Sequence, residues 1–414
     1  MLKGKKTVVV LIAFTIAVLW FGAVPEAEGV TAIAPDGSYP VGVKIERMNY
    51  QGQERVLMVW YPAQAQPGAE TYKYQTKIVG SSVLDAPAEK KDAPYPLLLF
   101  SHGLGACGCQ SVFYTENLAS FGYVVVTTDH GDSKMCHIAS EPNVSYLQLV
   151  WAFVKSFGNL EKLVKALFGD YLAEINFDLS YRSTEAKAVI DQALDWNQNP
   201  DSFLSGMMDP ERIGATGHSL GGYTSLMVGG VPFRCGEEKP DPEICDTDNF
   251  KKIDLRRMNP CCLDIIREME DKDPFQLRDE RVKAILPLGP AVIFPNLKEA
   301  AADIKVPIMI ISTDTQRMEV PWESIWTLYT NAPPPKYAIR LKESDHMTVA
   351  DLTLGVSLSK YFFPGFRSNF GAKAQAYKDY SVAFFDLYLK GNDTRAAVLK
   401  EPSNQFVELW FEAE

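Results

Sequence analysis

The sequence lacks an excess of basic residues, and this absence narrows the functions open to it. It carries 41 Lys and Arg against 52 Asp and Glu, which gives a net charge of −11 at pH 7. A nucleic-acid-binding surface needs clustered Lys and Arg, so the charge balance argues against a nucleic-acid partner. Hydrophobic residues make up 46% and aromatic residues 11% of the 414 positions, which is typical of a globular protein rather than a fibrous or disordered one.

Long apolar runs are absent everywhere except at the N-terminus. Three lysines within the first six residues precede an uncharged apolar run over residues 7–24, and small residues follow it. This order is typical of a secretory signal peptide, so we expect residues 1–29 to be a leader and residues 30–414 to form a secreted or periplasmic domain. The run is also just long enough to cross a bilayer, and an uncleaved N-terminal membrane anchor is the alternative.

Cysteine is scarce, and its odd count of seven leaves at least one cysteine without an intramolecular partner. Export favours disulfides, and we expect two bridges: Cys107 or Cys109 with Cys136, and Cys261 or Cys262 with Cys235 or Cys245. A zinc site at Cys136 and the adjacent His137 is a weak rival interpretation, because no further ligand follows at a zinc-binding spacing.

Short apolar runs alternate with helical patterns through most of the chain. A hairpin over residues 39–50 and 55–61 comes first, and a helix over residues 372–389 comes last. The apolar runs between them cover residues 95–100, 123–128, 212–216, 282–286, 307–311 and 337–341. Continuous apolar strands separated by helices indicate a parallel sheet that is buried on both faces. We therefore predict an α/β fold with a mostly parallel central sheet flanked by helices.

Two segments, residues 134–180 and 231–280, interrupt this alternation and are predicted to be insertions above the sheet. The first has apolar residues three and four positions apart between Leu160 and Tyr171, which is the spacing of an amphipathic helix. It is a candidate lid over an acyl pocket or a contact with a lipid surface, and a helix packed on the core is the alternative. The second insertion is polar and contains four of the cysteines.

The sequence Gly-His-Ser-Leu-Gly at residues 217–221 lies directly after a predicted strand and directly before a predicted helix. A strand–turn–helix of this kind is the nucleophile elbow of the α/β-hydrolase fold, in which the tight turn admits only small residues beside the serine. The placement, more than the pentapeptide itself, identifies Ser219 as the candidate nucleophile.

A nucleophilic serine needs a base, and the base needs an acid that orients it. The chain has five histidines, and of these only His346 follows Ser219, as the Ser–acid–His order of the fold requires. The acid is expected at the carboxyl end of the preceding strand, where Asp314 stands 32 residues before His346. Glu319 and Asp345 are the rival acids.

The tetrahedral oxyanion of ester hydrolysis needs two preorganised N–H donors. One is expected from Leu220, directly after the nucleophile, and the other from Leu104 in the Ser-His-Gly-Leu-Gly loop after the first parallel strand. His102 stands before two glycines of that loop and is expected to brace it. His130 and His218 are expected to be packed, hydrogen-bonded side chains rather than catalysts.

Several short motifs together resemble a known family: Val59-Trp60-Tyr61-Pro62, Ser101-His102-Gly103-Leu104-Gly105, Thr128-Asp129-His130, Arg212-Ile213-Gly214 and Gly217-His218-Ser219-Leu220-Gly221-Gly222-Tyr223. They look like the predicted dienelactone hydrolases and the plasma-type platelet-activating-factor acetylhydrolases. The layout is also similar to that of cutinase-type polyester hydrolases. The resemblance covers roughly residues 38–390 apart from the insertions. It implies hydrolysis of carboxylic esters without a metal or cofactor, with Leu104 and Leu220 as oxyanion donors.

One departure from the acetylhydrolases concerns the acid. In that family the acid follows the strand just after the nucleophile's unit, but residues 286–290 of this chain contain no carboxylate. The resemblance to the dienelactone and polyester hydrolases places the acid one strand later, at Asp314. This departure weakens any inference to an acetylhydrolase substrate.

The sequence thus predicts an extracytoplasmic serine esterase that acts on a small-molecule or lipid-like ester. Ser219, His346 and Asp314 are its candidate triad. A polyester or lactone hydrolase is the nearby alternative. An α/β-hydrolase-fold binding protein without catalytic activity is an alternative of a different class.

Overall fold

The computed structural model describes residues 30–140, 178–233, 235, 271, 273, 275–294, 296–314, 322–351 and 369–413. Twelve strands lie in these residues: β1 Val30–Thr31, β2 Val41–Tyr50, β3 Gln53–Pro62, β4 Ile78–Val79, β5 Val83–Leu84, β6 Tyr95–Ser101, β7 Val124–Thr128, β8 Met208–His218, β9 Val282–Leu288, β10 Ile308–Thr313, β11 Lys336–Leu341 and β12 Val407–Glu412. The α-helices of the same residues are α1 Val112–Ser120, α2 Tyr181–Gln198, α3 Leu220–Val228, α4 Leu297–Ala302, α5 Trp322–Asn331 and α6 Phe370–Lys390. The described residues also contain two 3₁₀ turns, which are His346–Val349 and Ala396–Lys400.

Ten of these strands form one sheet in the order β12-β11-β10-β9-β8-β6-β7-β3-β2-β5. The six strands from β11 to β7 in this order run parallel to one another. β12, β3 and β2 pair antiparallel toward the two edges. The expected hairpin is β2–β3, with Tyr50 opposite Gln53 at its turn. The mostly parallel sheet of the α/β-hydrolase fold is therefore confirmed.

The central strands are buried along their whole length, which explains their continuous apolar sequences. All seven residues of β6 and all six of β10 are buried. One hydrophobic cluster lies between the sheet and helices α2, α3, α4 and α5, and a second lies between the opposite face and helices α1 and α6. Helices on both faces are what a buried parallel sheet requires.

Helix α6 begins at Phe370 and ends at Lys390, close to the predicted bounds. Gly391 takes a positive φ of 65°, the left-handed conformation in which glycine commonly ends a helix. The predicted series of strands ends at residues 337–341 and has no strand after the last helix, which was wrong. Strand β12 follows helix α6 and pairs antiparallel with β11. Its residues 407–412, Val-Glu-Leu-Trp-Phe-Glu, are only six and do not alternate regularly between polar and apolar side chains, a weak signal at the edge of a sheet.

Three expectations lie wholly or mostly outside the described residues. They are the leader at residues 1–29, the amphipathic segment of the first insertion, and most of the second insertion. None of the helices in the described part of the chain combines the length and the apolarity that a bilayer span requires.

Candidate active site

Ser219 occupies the turn between strand β8 and helix α3, as the elbow motif predicts. Its backbone has φ 57° and ψ −115°, a positive φ that non-glycine residues rarely adopt and that is associated with functional sites. The serine is partly exposed, whereas its neighbours His218 and Leu220 are buried. The turn therefore presents the Ser219 hydroxyl at the carboxyl edge of the sheet.

The glycines on either side of the serine are required by close backbone contacts. A Cβ at Gly217 would lie 2.5 Å from the Ser101 carbonyl oxygen, and one at Gly221 would lie 1.9 Å from it. Neither distance is compatible with a side chain. The two glycines therefore let the elbow pack directly on the end of strand β6.

His346 begins the 3₁₀ turn that follows strand β11. The Asp345 carboxylate accepts a hydrogen bond from the Met347 N–H at 3.0 Å, and the Thr348 hydroxyl accepts one from the Asp345 N–H at 3.0 Å. This reciprocal capping fixes the start of the turn. The imidazole of His346 packs against that of His218, with ring centroids 4.5 Å apart. The turn thus brings His346 beside the elbow.

Burial keeps the two neighbouring imidazoles neutral. It lowers the pKa of His346 from its usual 6.5 to about 4. Burial, together with the neighbouring His346, lowers the pKa of His218 well below 6.5. A neutral imidazole is the form that accepts a proton from a serine hydroxyl.

Asp314 directly follows strand β10, the position expected for the acid. Its Oδ1 accepts a hydrogen bond from the backbone N–H of Ser344 at 3.3 Å, which joins the acid-bearing loop to the segment before His346. Of the rival acids, Asp345 uses its carboxylate to cap the turn, and Glu319 lies outside the described residues.

The three candidate triad residues converge on one edge of the sheet without direct hydrogen bonds. Within the described residues, no hydrogen bond joins the His346 ring to the Ser219 hydroxyl or to the Asp314 carboxylate. Such bonds are often long before substrate binds and shorten in the reacting complex.

Gly289 lies at the end of strand β9, where the sequence lacks the acetylhydrolase-type acid. Its N–H donates to the Ile311 carbonyl at 2.7 Å, and its φ is +46°. A Cβ at this position would lie 3.5 Å from Nδ1 of His346. A side chain at residue 289 would therefore face the imidazole nitrogen that an orienting acid contacts.

The His-Gly loop, residues 102–105, bonds two of its backbone donors to side chains. The N–H of Gly103 donates to Gln110 Oε1 at 3.0 Å, and that of Gly105 donates to Asp132 Oδ2 at 2.8 Å. Within the described part of the chain, neither the Leu104 N–H nor the Leu220 N–H donates a hydrogen bond to a protein acceptor. These are the two donors expected for an oxyanion.

His102 braces the His-Gly loop from beneath, as its position predicts. Its Nδ1 lies 2.7 Å from the Gly103 carbonyl oxygen and therefore donates to it, since a carbonyl only accepts. Its Nε2 accepts from the His130 N–H at 3.0 Å and from the Ser133 hydroxyl at 2.9 Å. Both ring nitrogens are thus engaged in the fold, and His102 has no nitrogen left to act as a base.

A buried ion pair, which the sequence analysis missed, supports the same loop. Arg182 and Asp132 are both fully buried, and their side chains meet at 2.6 Å. The Arg182 guanidinium also donates to the carbonyls of His102 at 2.6 Å and Gly103 at 3.3 Å. Burial raises the pKa of the Asp132 carboxyl, but the charge of Arg182 outweighs this and holds that pKa below its usual range.

Ser101, His130 and Glu185 form a second serine–histidine–carboxylate series beneath the loop. The Ser101 hydroxyl lies 2.8 Å from His130 Nε2, and His130 Nδ1 contacts the Glu185 carboxylate. Their side chains are sealed in the interior, with relative exposures of at most 3%. No substrate reaches this series, and its role is to hold the end of strand β6.

Cys107 and Cys136 form the first expected disulfide and tie the His-Gly loop region to the segment after β7. Because Cys136 is bridged, its sulfur is not a zinc ligand. Cys109 is free and buried. Cys235 is also disulfide-bonded, and the remaining cysteines lie outside the described residues. No cluster of three or more His, Cys, Asp or Glu side chains placed to bind a metal occurs among the described residues.

Residues 72–237 match the family model of platelet-activating factor acetylhydrolase, isoform II. This range contains Leu104 and Ser219 and ends before Asp314 and His346. The platelet-activating factor acetylhydrolase of Cavia porcellus is 27% identical over 237 residues, which cover 49% of this chain and 53% of the relative. That of Gallus gallus is 28% identical over 207 residues, which cover 45% and 47%. The chain thus spans about half the length of the curated relatives it matches.

A solved structure shares the fold over nearly the whole chain. It is the ferulic acid esterase from Streptomyces cinnamoneus, with a TM-score of 0.57, 18% sequence identity, and coverage of 92% of this chain and 99% of that one. This likeness shows the α/β-hydrolase architecture. With the elbow geometry, it shows that the chain has the α/β-hydrolase fold, and residues 72–237 are similar to the platelet-activating factor acetylhydrolases.

Proposed function

We propose that this protein is a serine esterase that hydrolyses acyl or lipid-like esters through Ser219, His346 and Asp314. The observation that carries the proposal is the elbow. Ser219 is partly exposed with a positive φ of 57°, and the His-Gly loop lies beside it, since a Cβ at Gly103 would be 3.4 Å from Ser219 Cβ. The N–H groups of Leu104, in that loop, and Leu220, directly after the serine, donate to no protein acceptor among the described residues. Unused donors beside an accessible serine are what a tetrahedral oxyanion requires.

In this mechanism the Ser219 hydroxyl attacks the ester carbonyl carbon while the neutral His346 imidazole takes its proton. The negative oxygen of the tetrahedral intermediate accepts hydrogen bonds from the N–H groups of Leu104 and Leu220. His346 then protonates the leaving alcohol, and an acyl-enzyme remains. In the second half of the reaction, His346 takes a proton from water, which attacks the acyl-enzyme carbonyl. This step releases the carboxylic acid product and restores the Ser219 hydroxyl. Asp314 orients the imidazole and stabilises its protonated form.

The curated relatives suggest the first substrate to test. Platelet-activating factor acetylhydrolases match this chain at 24–28% identity, so platelet-activating factor belongs in the assay. This site differs from an active site whose triad acid directly follows strand β9, because residue 289, where a carboxylate would face His346, is a glycine. We therefore propose the broader class of acyl and lipid-like esters. A polyester or lactone is the alternative substrate.

The leader sequence supports action outside the cytoplasm. We propose that the protein is secreted or periplasmic after removal of residues 1–29. Mass spectrometry of the mature N-terminus tests this. A mature chain that begins near residue 30 is expected, and a protein that retains residues 1–29 in the membrane fraction would support an anchor instead.

Activity-based labelling tests the catalytic assignment. The purified protein should react with a fluorophosphonate probe and hydrolyse p-nitrophenyl esters, and Ser219→Ala should abolish both. Ser225→Ala is the matched control, because Ser225 lies on the same helix α3 and its hydroxyl donates to the Gly222 carbonyl within that helix. A folded wild-type protein that is not labelled would point to the non-catalytic binding protein instead.

A panel of acyl chain lengths, with platelet-activating factor included, tests the substrate class. Strict preference for acetyl esters, with no binding to lipid vesicles, would contradict a lipid-like substrate. Hydrolysis of a polyester film or a lactone at a higher kcat/KM than any acyl ester would favour the alternative.

A further inference from the structure

Gln110 and His218 connect three separate parts of the site through one continuous series of hydrogen bonds. Gln110 Oε1 lies 3.0 Å from the Gly103 N–H of the His-Gly loop. Gln110 Nε2 lies 3.1 Å from His218 Nδ1, at the end of strand β8. His218 Nε2 lies 2.7 Å from the backbone carbonyl of His346. Gln110 and His218 are 1% and 3% exposed, so bulk water does not compete with these bonds.

The chemistry of the end groups fixes the direction of every bond in the series. The His346 carbonyl only accepts, so His218 Nε2 must carry a hydrogen. Nδ1 of a neutral His218 is then an acceptor, and it needs the amide NH₂ of Gln110. That orientation leaves the amide oxygen to accept from Gly103, as observed. The series therefore works in one protonation state, with His218 neutral and protonated on Nε2.

We propose that Gln110 and His218 are positioning residues that hold the His346 turn and the His-Gly loop in a fixed relation to Ser219. The inference rests on the proposed esterase function and adds two residues to it. His218 directly precedes the nucleophile. Its Nε2 bonds to the backbone of His346, the proposed base, and its Nδ1 bonds to Gln110, which in turn bonds to Gly103, the residue before Leu104. The His218 side chain thus positions the base, and Gln110 connects His218 to the proposed oxyanion site.

This arrangement explains why an imidazole is placed next to the nucleophile without being the base. The His218 ring packs on the His346 ring at 4.5 Å and also holds the backbone of the same residue, so the base is constrained at two points. Among the described residues, His346 is the titratable side chain whose charge acts on His218. Displacing a reacting group by about 1 Å costs roughly 100-fold in rate, so such constraints affect kcat directly.

Two substitutions at Gln110 separate positioning from simple packing. Gln110→Met keeps the volume and removes the side-chain hydrogen bonds to Gly103, His218 and Ser111. We expect it to lower kcat roughly 10- to 100-fold at every pH, with KM within about twofold, since positioning acts on the reacting atoms rather than on binding. Thermal melting and circular dichroism confirm that the variant is folded.

Gln110→Glu is nearly isosteric and gives a pH signature. A carboxylate oxygen facing Nδ1 cannot donate, so the series survives only when the Glu–His218 pair holds one additional proton. That proton is lost as pH rises. We therefore expect near wild-type activity at low pH and an alkaline limb, with a roughly tenfold fall in kcat between about pH 6 and 9 that the wild type lacks. A residue with a purely structural role would not move the pH profile.

Gln375→Met is the matched control, since Gln375 lies on helix α6 and bonds to Asp36 and Asp379 rather than to the site; it should keep wild-type kinetics. Folded Gln110→Met and Gln110→Glu variants with wild-type kcat and pH profile would overturn the positioning role and leave the esterase proposal intact, provided that Ser219→Ala is inactive. A wild-type protein without fluorophosphonate labelling overturns both. Should Gln110→Met fail to fold, the pH profile of Gln110→Glu decides alone.

Discussion

The ion pair between Arg182 and Asp132 allows a quantitative prediction about the support beneath the His-Gly loop. Both side chains have a relative exposure of 0%, and the guanidinium binds one carboxylate and two loop carbonyls. Arg182→Met removes the cation and leaves Asp132 as an uncompensated buried charge. Breaking a buried pair in this way costs about 3–5 kcal/mol, a large part of the roughly 5–15 kcal/mol that stabilises a typical domain.

Urea unfolding of four proteins measures this cost: wild type, Arg182→Met, Asp132→Asn and the double variant. Each single substitution leaves a buried partner without compensation, whereas the double variant leaves none. The double variant should therefore be more stable than the sum of the two single effects implies, by about 2–3 kcal/mol. Arg182→Lys should fall between wild type and Arg182→Met, because an ammonium keeps the charge but does not present the planar fork that reaches several acceptors.

The pH dependence gives an independent check on the same pair. In the wild type Arg182 holds the pKa of Asp132 below its usual range, so the stabilisation is present above the unfolded pKa of about 3.9 and is lost only in strong acid. In Arg182→Met the Gly105 N–H and the Tyr181 hydroxyl still donate to the Asp132 carboxylate, but the Arg182 charge no longer offsets burial. We therefore expect the pKa of Asp132 to rise, so that the folded state binds more protons than the unfolded state. The variant should therefore gain stability as pH falls from 8 to 5. A destabilisation below about 1 kcal/mol that is the same at both pH values would refute the reasoning.

Three further predictions concern the site itself. Because burial lowers the pKa of His346 to about 4, its neutral form persists in acid, and kcat/KM should decline only near that pH; a limb at 6.5 or above would contradict this. Asp314→Asn should lower kcat/KM by about 10³- to 10⁴-fold. Adding Gly289→Asp to that variant should raise kcat/KM again by at least roughly tenfold, because a Cβ at residue 289 would lie 3.5 Å from His346 Nδ1. No recovery of kcat/KM in a folded double variant would contradict the geometry. Gly221→Ala should cost about 1–3 kcal/mol of stability and most activity, since its Cβ would lie 1.9 Å from a backbone oxygen. Gly371→Ala on helix α6, where a Cβ has nothing within 4 Å, should lower neither stability nor activity in the same melting and ester assays.

The strands and the elbow could be predicted because their signals are local. Strand β10 is six buried apolar or small polar residues in a row, and the nucleophile turn needs glycines at fixed offsets from Ser219. A single downstream histidine made the candidate base unambiguous in the sequence. Each of these inferences depends on residues within a few positions of one another, or on chain order alone.

The support beneath the site could not be predicted, because it depends on distances that the sequence does not encode locally. Arg182 is 50 residues from Asp132, and Gln110 is 108 residues from His218. Nothing in the helical pattern of α2 distinguishes a buried arginine from an exposed one. Strand β12 was missed for another reason: an edge strand is short and half exposed, and its pattern is weaker than that of the central strands.

The unused N–H of Leu104 is informative because its neighbours in the His-Gly loop are hydrogen-bonded. In the His-Gly loop, Gly103 and Gly105 both donate to side chains, and Arg182 binds the carbonyls of residues 102 and 103. A backbone N–H without an acceptor costs about 1–3 kcal/mol when it is buried. A loop held at this many points could have satisfied Leu104 as well. That Leu104 has no acceptor in a loop that lies beside the partly exposed Ser219 is consistent with a site whose last hydrogen-bond acceptor is the oxyanion of the substrate.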